Sequence, residues 1–248
     1  IIEVTDSGTT VDGSFYFVME LLEGADVAER LKRERSLPIN DSLAIAHQVA
    51  EALAAAHQNN IIHRDLKPEN VFLINHEGTS NFVKVLDFGI AKAEGRAAQT
   101  KAGTVKGKFA YMSPEQARGE LLDRRTDIYS LGCALFETLQ GNPPFNGKDS
   151  VDILVKQITT DAPEMTLYGL APVLQVKLNK IVAKCLAKDK ENRYQSASEL
   201  KEALGQVMAG NSVAESLKAD VPSEPAKIDS WSGRREELLS WFNHRFKH

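Results

Sequence analysis

The segment that most constrains this chain is His63-Arg64-Asp65-Leu66-Lys67-Pro68-Glu69-Asn70, a charged and polar run set between a helical repeat and a short apolar run. Polar groups taken out of water need partners, so such a segment is a poor filler connection. It concentrates a base, cations and an amide in one loop. A further carboxylate follows in Asp87-Phe88-Gly89, again directly after a short apolar run. Asp65, Asn70 and Asp87 reaching one spot would make a hard-oxygen site suited to magnesium, with substrate phosphates completing the shell. Lys67 is placed to neutralise charge on a transferring phosphoryl group, and Asp65 to accept a proton from an attacking hydroxyl. Positioning and charge neutralisation are what phosphoryl transfer requires.

The periodicity around this loop predicts its supports. Residues 41–57 repeat apolar positions at helical spacing, with Asp41 as a capping candidate and an Ala-rich face suited to close packing. Residues 71–74 and 83–86 predict two short strands flanking a polar loop at 76–81. Upstream, residues 15–22 (FYFVMELL) follow the turn signal Asp12-Gly13 and predict a hairpin with residues 1–4. Helices are predicted over 27–33, 126–139, 150–159, 172–186 and 196–208, with a long irregular segment from Asp87 to about Pro114. After Gly210 the composition turns to Ser, Pro, Ala and charge, which predicts a linker. Residues 231–247 could form a short amphipathic helix through Leu238, Leu239, Phe242 and Phe246.

Composition narrows the function classes. A chain of 248 residues with 42% hydrophobic content can bury one large core with a tail. Thirty Lys and Arg against 34 Asp and Glu give a net charge of −4, without the basic stripe of a nucleic-acid binder. The two cysteines, Cys133 and Cys185, sit inside apolar helical patterns and predict buried thiols in a reducing cytoplasm. No apolar run approaches the roughly 20 residues that span a bilayer. Ile1-Ile2-Glu3-Val4 has no signal-peptide character and reads as the interior of a domain, so the sequence is expected to be truncated at its front.

With those residues in view, HRDLKPEN resembles the catalytic loop of eukaryotic-type Ser/Thr protein kinases of the bacterial kind, and DFG their magnesium motif. Ser113-Pro114-Glu115 resembles the Ala-Pro-Glu motif, and the stretch from Thr126 to Gly132 resembles the helix F signature. The resemblance covers residues 1 to about 208. It implies an α+β, protein-kinase-like fold: a mainly α-helical large lobe with a remnant of the small-lobe β-sheet. The implied division is a kinase domain at 1–209 (small-lobe remnant 1–19, hinge 20–24, large lobe 25–209), followed by linker and short helix at 210–248. ATP and Mg2+ are the implied cofactors and proteins the implied substrates, with no membrane span in the chain and dimerisation left open.

By position, the resemblance implies that Asp65 is the catalytic base, Lys67 the γ-phosphate contact, and Asn70 and Asp87 the metal ligands. Met19 falls where kinases carry the gatekeeper, Glu20 and Leu22 where backbone groups bond adenine, and Phe72 beneath the ring. Phe88 and Gly89 complete the magnesium motif. Glu115 is expected to pair with Arg193, and Asp127 to anchor the catalytic-loop backbone. Arg64 before Asp65 implies ordering by a phosphorylated activation-loop residue, with Thr100 and Thr104 as candidates. Lys108 departs from the family pattern, standing where a Thr is usual, and puts Ser/Thr preference in question. No glycine-rich loop, strand lysine or helix C glutamate precedes Phe15, so this polypeptide is expected to be weak or inactive as written. The alternative is a pseudokinase or scaffold that binds partners through its helical lobe; a small-molecule phosphotransferase fits less well with an intact activation-segment motif.

Overall fold

The structure, a computed structural model, describes residues 1–88 and 109–219, with side chains through 211. Gly89, Thr100, Thr104, Lys108 and the amphipathic segment at 231–247 lie outside the described residues. The chain divides into two units, Ile1–Asn211 and Ser212–His248.

Two antiparallel sheets open the first unit. β1 (Val4–Thr9) pairs with β2 (Phe15–Met19), from Val4 opposite Met19 to Thr9 opposite Phe15. The hairpin therefore begins where the sequence pattern ended it, and its pairing runs through polar residues with little apolar signal. β3 (Gly24–Asp26), β4 (Val71–His76) and β5 (Thr79–Val85) form the second sheet in that order. The loop expected at 76–81 shrinks to Glu77 and Gly78, at φ 48° and 79°. Two residues of positive φ make the tight turn whose twist matches a hairpin.

The core is helical. α1 (Val27–Glu34) is capped by Asp26, whose side chain accepts from Glu29 N. α2 (Ile39–Gln58) buries Leu43, Ile45, Ala46, Val49, Ala50, Leu53 and Ala56, the stripe that helical spacing predicts. Asp41 does not cap it. Pro38 holds the cap position, and the Asp41 carboxylate instead accepts from Arg30 at 3.1 Å and Asn81 at 3.2 Å. Pro38 fixes an extended backbone at the entry, which leaves Asp41 one turn inside the helix and free for a lateral ion pair.

α3 (Pro114–Arg118) and α4 (Arg125–Gln140) follow. Every residue of α4 from Thr126 to Phe136 is buried. A helix buried all round needs small residues where neighbours approach closely. Gly132 is such a place, since a Cβ there would stand 2.6 Å from Cys185 Cβ. Cys133 and Cys185 are free, buried thiols.

α5 (Ser150–Thr159), α6 (Pro172–Cys185) and α7 (Ala197–Ala219) complete the lobe. α7 continues past Gly210, where the composition shift suggested a linker. Residues 210–219 contain no proline and include Ala, Glu, Leu and Lys, so an established helix can propagate through the single glycine. Among the described residues no helix is long and apolar enough to cross a membrane.

Lys188, after α6, illustrates what this burial costs. Its Nζ lies 3.9 Å from the centroid of Phe145 and 3.1 Å from Tyr129 Oη, and burial pulls its pKa down to about 8. The charged form is therefore disfavoured in the fold. The unfolded chain binds the proton more tightly between pH about 8 and the ordinary 10.5, so stability rises with pH across that window. Lys188→Met is expected to raise stability at pH 7 by about 1 kcal/mol, allowing for partial solvent access and the lost aromatic contact. It should also flatten the rise between pH 8 and 10.5, as read by urea unfolding of both proteins at each pH. A variant that keeps the parent's pH dependence would exclude Lys188 as its source.

Candidate active site

The loop at 63–70 leaves α2 and enters β4 through a short 3-10 turn, Pro68–Asn70. Its backbone is held from below by Asp127, fully buried in the first turn of α4. One oxygen of that carboxylate, Oδ2, accepts from His63 N at 2.8 Å, and Oδ1 accepts from Arg64 N at 2.8 Å. Oδ2 also receives His57 Nε2 at 2.8 Å. Arg64 sits at φ 65°, a left-handed conformation that a non-glycine residue keeps only when its surroundings impose it. The two amide bonds to Asp127 are that imposition.

The same loop is tied to the strand that delivers Asp87. His63 Nε2 meets Leu86 O at 2.8 Å, and its Nδ1 accepts from Asp65 N at 3.3 Å, which places the ring proton on Nε2. The His63 ring packs against Phe88 in a tilted pair, centroids 4.7 Å apart and planes at 54°. Leu86 N donates to Asn70 O at 2.9 Å, and Asn70 Nδ2 donates to Asp65 O at 2.8 Å. Asn70 thus touches the segments of both Asp65 and Asp87. Asp87 is exposed, and it adopts φ 50°, a second left-handed residue beside the loop.

These residues fit a magnesium-bound nucleotide in their chemistry. Asn70 is buried, and its amide nitrogen is committed to Asp65 O, so the oxygen is the end left to face a cation. Asn70 and Asp87 would supply an amide and a carboxylate oxygen, which suits magnesium, since it takes few protein ligands and completes its shell with phosphate and water. No cluster of three or more His, Cys, Asp or Glu suited to a metal occurs among the described residues. Lys67 and Asp65 line a small cavity of about 20 Å³ together with Arg64, Tyr111, Met112 and Gln116.

The adenine-side candidates lie along one stretch. Met19 ends β2 opposite Val4, and Glu20 N donates to Glu3 O at 3.1 Å. The Glu20 carboxylate accepts from Lys84 Nζ at 2.8 Å, and that contact, with a further one from Glu3 N, holds its pKa below the usual range. Leu22 is half-buried before β3. Phe72 lies beside the end of this stretch: a Cβ on Gly24 would stand 3.2 Å from its ring and 2.0 Å from Leu73 O.

Glu115 and Arg193 form a buried two-pronged pair at 2.8 Å on both prongs. Burial alone would push Glu115 up, but Arg193 outweighs it and the carboxyl titrates below its ordinary value. Sequence reasoning passed over several supports. Gln116, inside a Ser-x-x-Gln capping box at the start of α3, donates to Arg64 O at 2.7 Å. That capping pattern was readable in the sequence; its reach to the loop at 63–70 was not. His57, Ser130 and Gln157 were also missed. Ser130 Oγ donates to Tyr111 O at 2.8 Å, and Gln157 Nε2 donates to Phe109 O at 3.1 Å and Ala110 O at 2.7 Å. Three consecutive carbonyls before α3 are thereby held by side chains of α4 and α5. Tyr111 Oη in turn donates to Glu137 at 2.5 Å, and burial raises the pKa of Glu137.

Residues 1–204 match the family model described as protein kinase domain. The chain is 39% identical over 216 residues to the serine/threonine-protein kinase PknB of Mycobacterium leprae, covering 85% of this chain and 33% of that protein. It is 39% identical over 200 residues to the serine/threonine-protein kinase PrkC of Bacillus subtilis, covering 81% of this chain and 30% of that protein. A probable serine/threonine-protein kinase of Clostridium perfringens, CPE1738, is 41% identical over 201 residues, 81% of this chain and 28% of that protein. The chain thus spans about a third of the length of these curated relatives. With most of its length matched by one family model and by named kinases, the chain belongs to the protein kinase domain family.

Proposed function

We propose that the protein transfers the γ-phosphoryl group of ATP to Ser or Thr hydroxyls of protein substrates. The observation that carries this reading is the joining of two sequence-distant segments by Asn70, which contacts Asp65 O and receives Leu86 N. Asp65 takes the proton from the attacking hydroxyl, and Lys67 contacts the transferring phosphoryl group. Asn70 and Asp87 hold magnesium, which neutralises phosphate charge when bound. Met19, Phe72 and the backbone of Glu20 and Leu22 receive the adenine. Arg64 is the receptor for a phosphorylated Thr100 or Thr104: its Nε is buried without a hydrogen-bond partner among the described residues. A cytoplasmic setting supplies the ATP and suits the two free thiols.

The second reading is a scaffold that binds partners through its helical lobe without turnover. The experiment compares the chain with a version extended by any in-frame coding sequence upstream of Ile1, using radiolabelled ATP and a protein acceptor. The extended protein should label the acceptor, and Asp87→Asn should lower that rate by roughly 10³-fold. Undiminished labelling by Asp87→Asn would overturn the metal assignment. No labelling by an extended protein that carries the phosphate-binding elements would favour the scaffold.

A further inference from the structure

Side chains from three distant parts of the chain form a buried relay that ends on the segment in front of α3. Lys188, after α6, donates from Nζ to Tyr129 Oη of α4 at 3.1 Å. Tyr129 Oη donates to Gln157 Oε1 of α5 at 2.5 Å. Gln157 Nε2 then donates to Phe109 O at 3.1 Å and to Ala110 O at 2.7 Å. The orientation of the amide follows from chemistry. A backbone carbonyl only accepts, so Gln157 turns its nitrogen to residues 109 and 110 and its oxygen to the phenol. Lys188 is fixed at its own end, with Nζ 3.4 Å from Lys156 O and 3.9 Å from the centroid of Phe145.

Tyr129 and Gln157 are fully buried. A buried glutamine is a costly way to fill space, because an apolar side chain of similar volume needs no partners. What the amide adds is direction, since a fully satisfied polar network fixes the groups that it joins. The groups joined here are two successive carbonyls directly before Tyr111 and Met112. Those two residues line the small cavity with Asp65 and Lys67. Tyr111 is held from two further sides, by Ser130 on its carbonyl and by Glu137 on its hydroxyl. Met112 N donates to Phe109 O at 3.3 Å, so Met112 is tied to one of the carbonyls that Gln157 holds.

Given transfer to an acceptor hydroxyl as proposed above, we infer that Gln157 is a positioning residue for the protein acceptor: it sets the Tyr111–Met112 wall beside Asp65 and Lys67, and Tyr129 and Lys188 fix the orientation of its amide. The acceptor hydroxyl has to come within hydrogen-bond reach of Asp65. A wall displaced by about 1 Å misplaces that hydroxyl enough to slow transfer by on the order of 10²-fold. The adenine-side residues sit on other elements, β2 and β4 among them, so affinity for ATP should not change.

The test combines hydrogen exchange on the 248-residue chain with steady-state transfer from ATP to casein and to myelin basic protein, using whichever of the two versions compared above labels them. Gln157→Glu keeps an acceptor for Tyr129 but sets oxygen against the carbonyls of residues 109 and 110. It should speed exchange at the Met112 amide by about tenfold or more relative to the amides of α2. It should also raise the KM for the acceptor by about tenfold and leave the KM for ATP within about twofold. Tyr129→Phe keeps the ring and deletes only the hydroxyl, so it decides the matter where Gln157→Glu folds poorly. It should move both readings in the same direction by a smaller factor. A merely structural role would lower kcat through lost folded protein and leave both KM values alone, and that result would overturn the acceptor role with the transfer reading intact. Met112 exchange that keeps pace with α2 would overturn the clamp, and a silent Tyr129→Phe would overturn the relay. If neither version labels either acceptor, the acceptor role falls together with the transfer reading, while the exchange comparison still decides whether Gln157 clamps the segment.

Discussion

Asp127→Ala is expected to lower unfolding stability by about 3–9 kcal/mol and to remove the phosphoryl transfer proposed above from whatever remains folded. The carboxylate receives three donors, His57 Nε2, His63 N and Arg64 N, each at 2.8 Å and none with another acceptor of that quality. Deleting it strands all three where water enters poorly, at roughly 1–3 kcal/mol apiece. The total approaches the net stability of a typical domain, about 5–15 kcal/mol, so part of the population should be unfolded. Asp127→Asn separates the two roles. Its one remaining oxygen can stay on the side of His57 and His63, but its NH2 then faces Arg64 N, a donor against a donor. Arg64 stands at φ 65°, and without its amide bond the left-handed residue before Asp65 has less reason to stay there. Asp127→Asn should therefore fold nearly as well as the parent yet transfer phosphate far more slowly. Denaturant titration, hydrogen exchange at the Arg64 amide and phosphate transfer are the measurements. A variant within about 1 kcal/mol of the parent, with Arg64 still protected and full activity, would show that the loop is held by something else.

How far the sequence revealed this arrangement differs from residue to residue. The helices were legible because burial on one face writes a 3.6-residue period, as in α2, where Leu43, Ala46, Val49, Ala50 and Leu53 all turn inward. α5, Ser150–Thr159, has the bounds that the pattern predicts. The loop at 63–70 stood out because it gathers a base, cations and an amide in one short segment, and the structure sets it between α2 and β4. The network that fixes its shape did not stand out. His57 lies on an ordinary Ala-rich helix, and only the fold brings it to Asp127 across 70 positions of chain. Gln116 likewise reads as a capping residue until its second amide hydrogen bond, to Arg64 O, is seen. Asp41 shows the converse failure. A good capping residue was displaced from the cap by a preceding proline and put to use in a lateral pair with Arg30. The hairpin β1–β2 was legible on one strand only, since Thr5, Asp6, Ser7 and Gly8 carry no apolar alternation to mark the other. For His57 and Gln116 the deciding contacts are distant in sequence, whereas at Asp41 a proline three residues earlier decides.

The pair of Glu115 with Arg193 should be the other costly one to break, and the result should depend on which partner is changed. Arg193 is 2% exposed and uses all five donors: Nε to Ala187 O, Nη1 to Glu115 and Arg125 O, Nη2 to Glu115 and Lys188 O. Glu115 Oε1 also accepts from Thr126 at 2.9 Å. Arg193→Lys keeps the charge but cannot serve five acceptors from one compact ammonium, so it is expected to cost about 3–5 kcal/mol, nearly as much as Arg193→Met. Glu115→Gln should cost a comparable amount at pH 7, because it leaves the guanidinium buried without a counter-charge. The sign with pH follows from the depressed carboxyl. The pair's contribution is fully present above the ordinary Glu value of 4.5 and is lost as pH falls through the lower folded value, so Glu115→Gln should be indifferent to that step. Replacing both partners, as Glu115→Leu with Arg193→Met, should recover part of the loss through a coupling of about 1–3 kcal/mol. Full recovery is not expected, since the carbonyls of Ala187, Arg125 and Lys188 each lose a donor. The consequence reaches the active site, because Glu115 and Gln116 share α3 and Gln116 holds Arg64 O. Loss of the pair should raise hydrogen exchange at the Arg64 amide before global unfolding. An Arg193→Lys protein as stable as the parent, with that amide equally protected, would mean that charge alone suffices and that the geometry of the guanidinium fork is incidental.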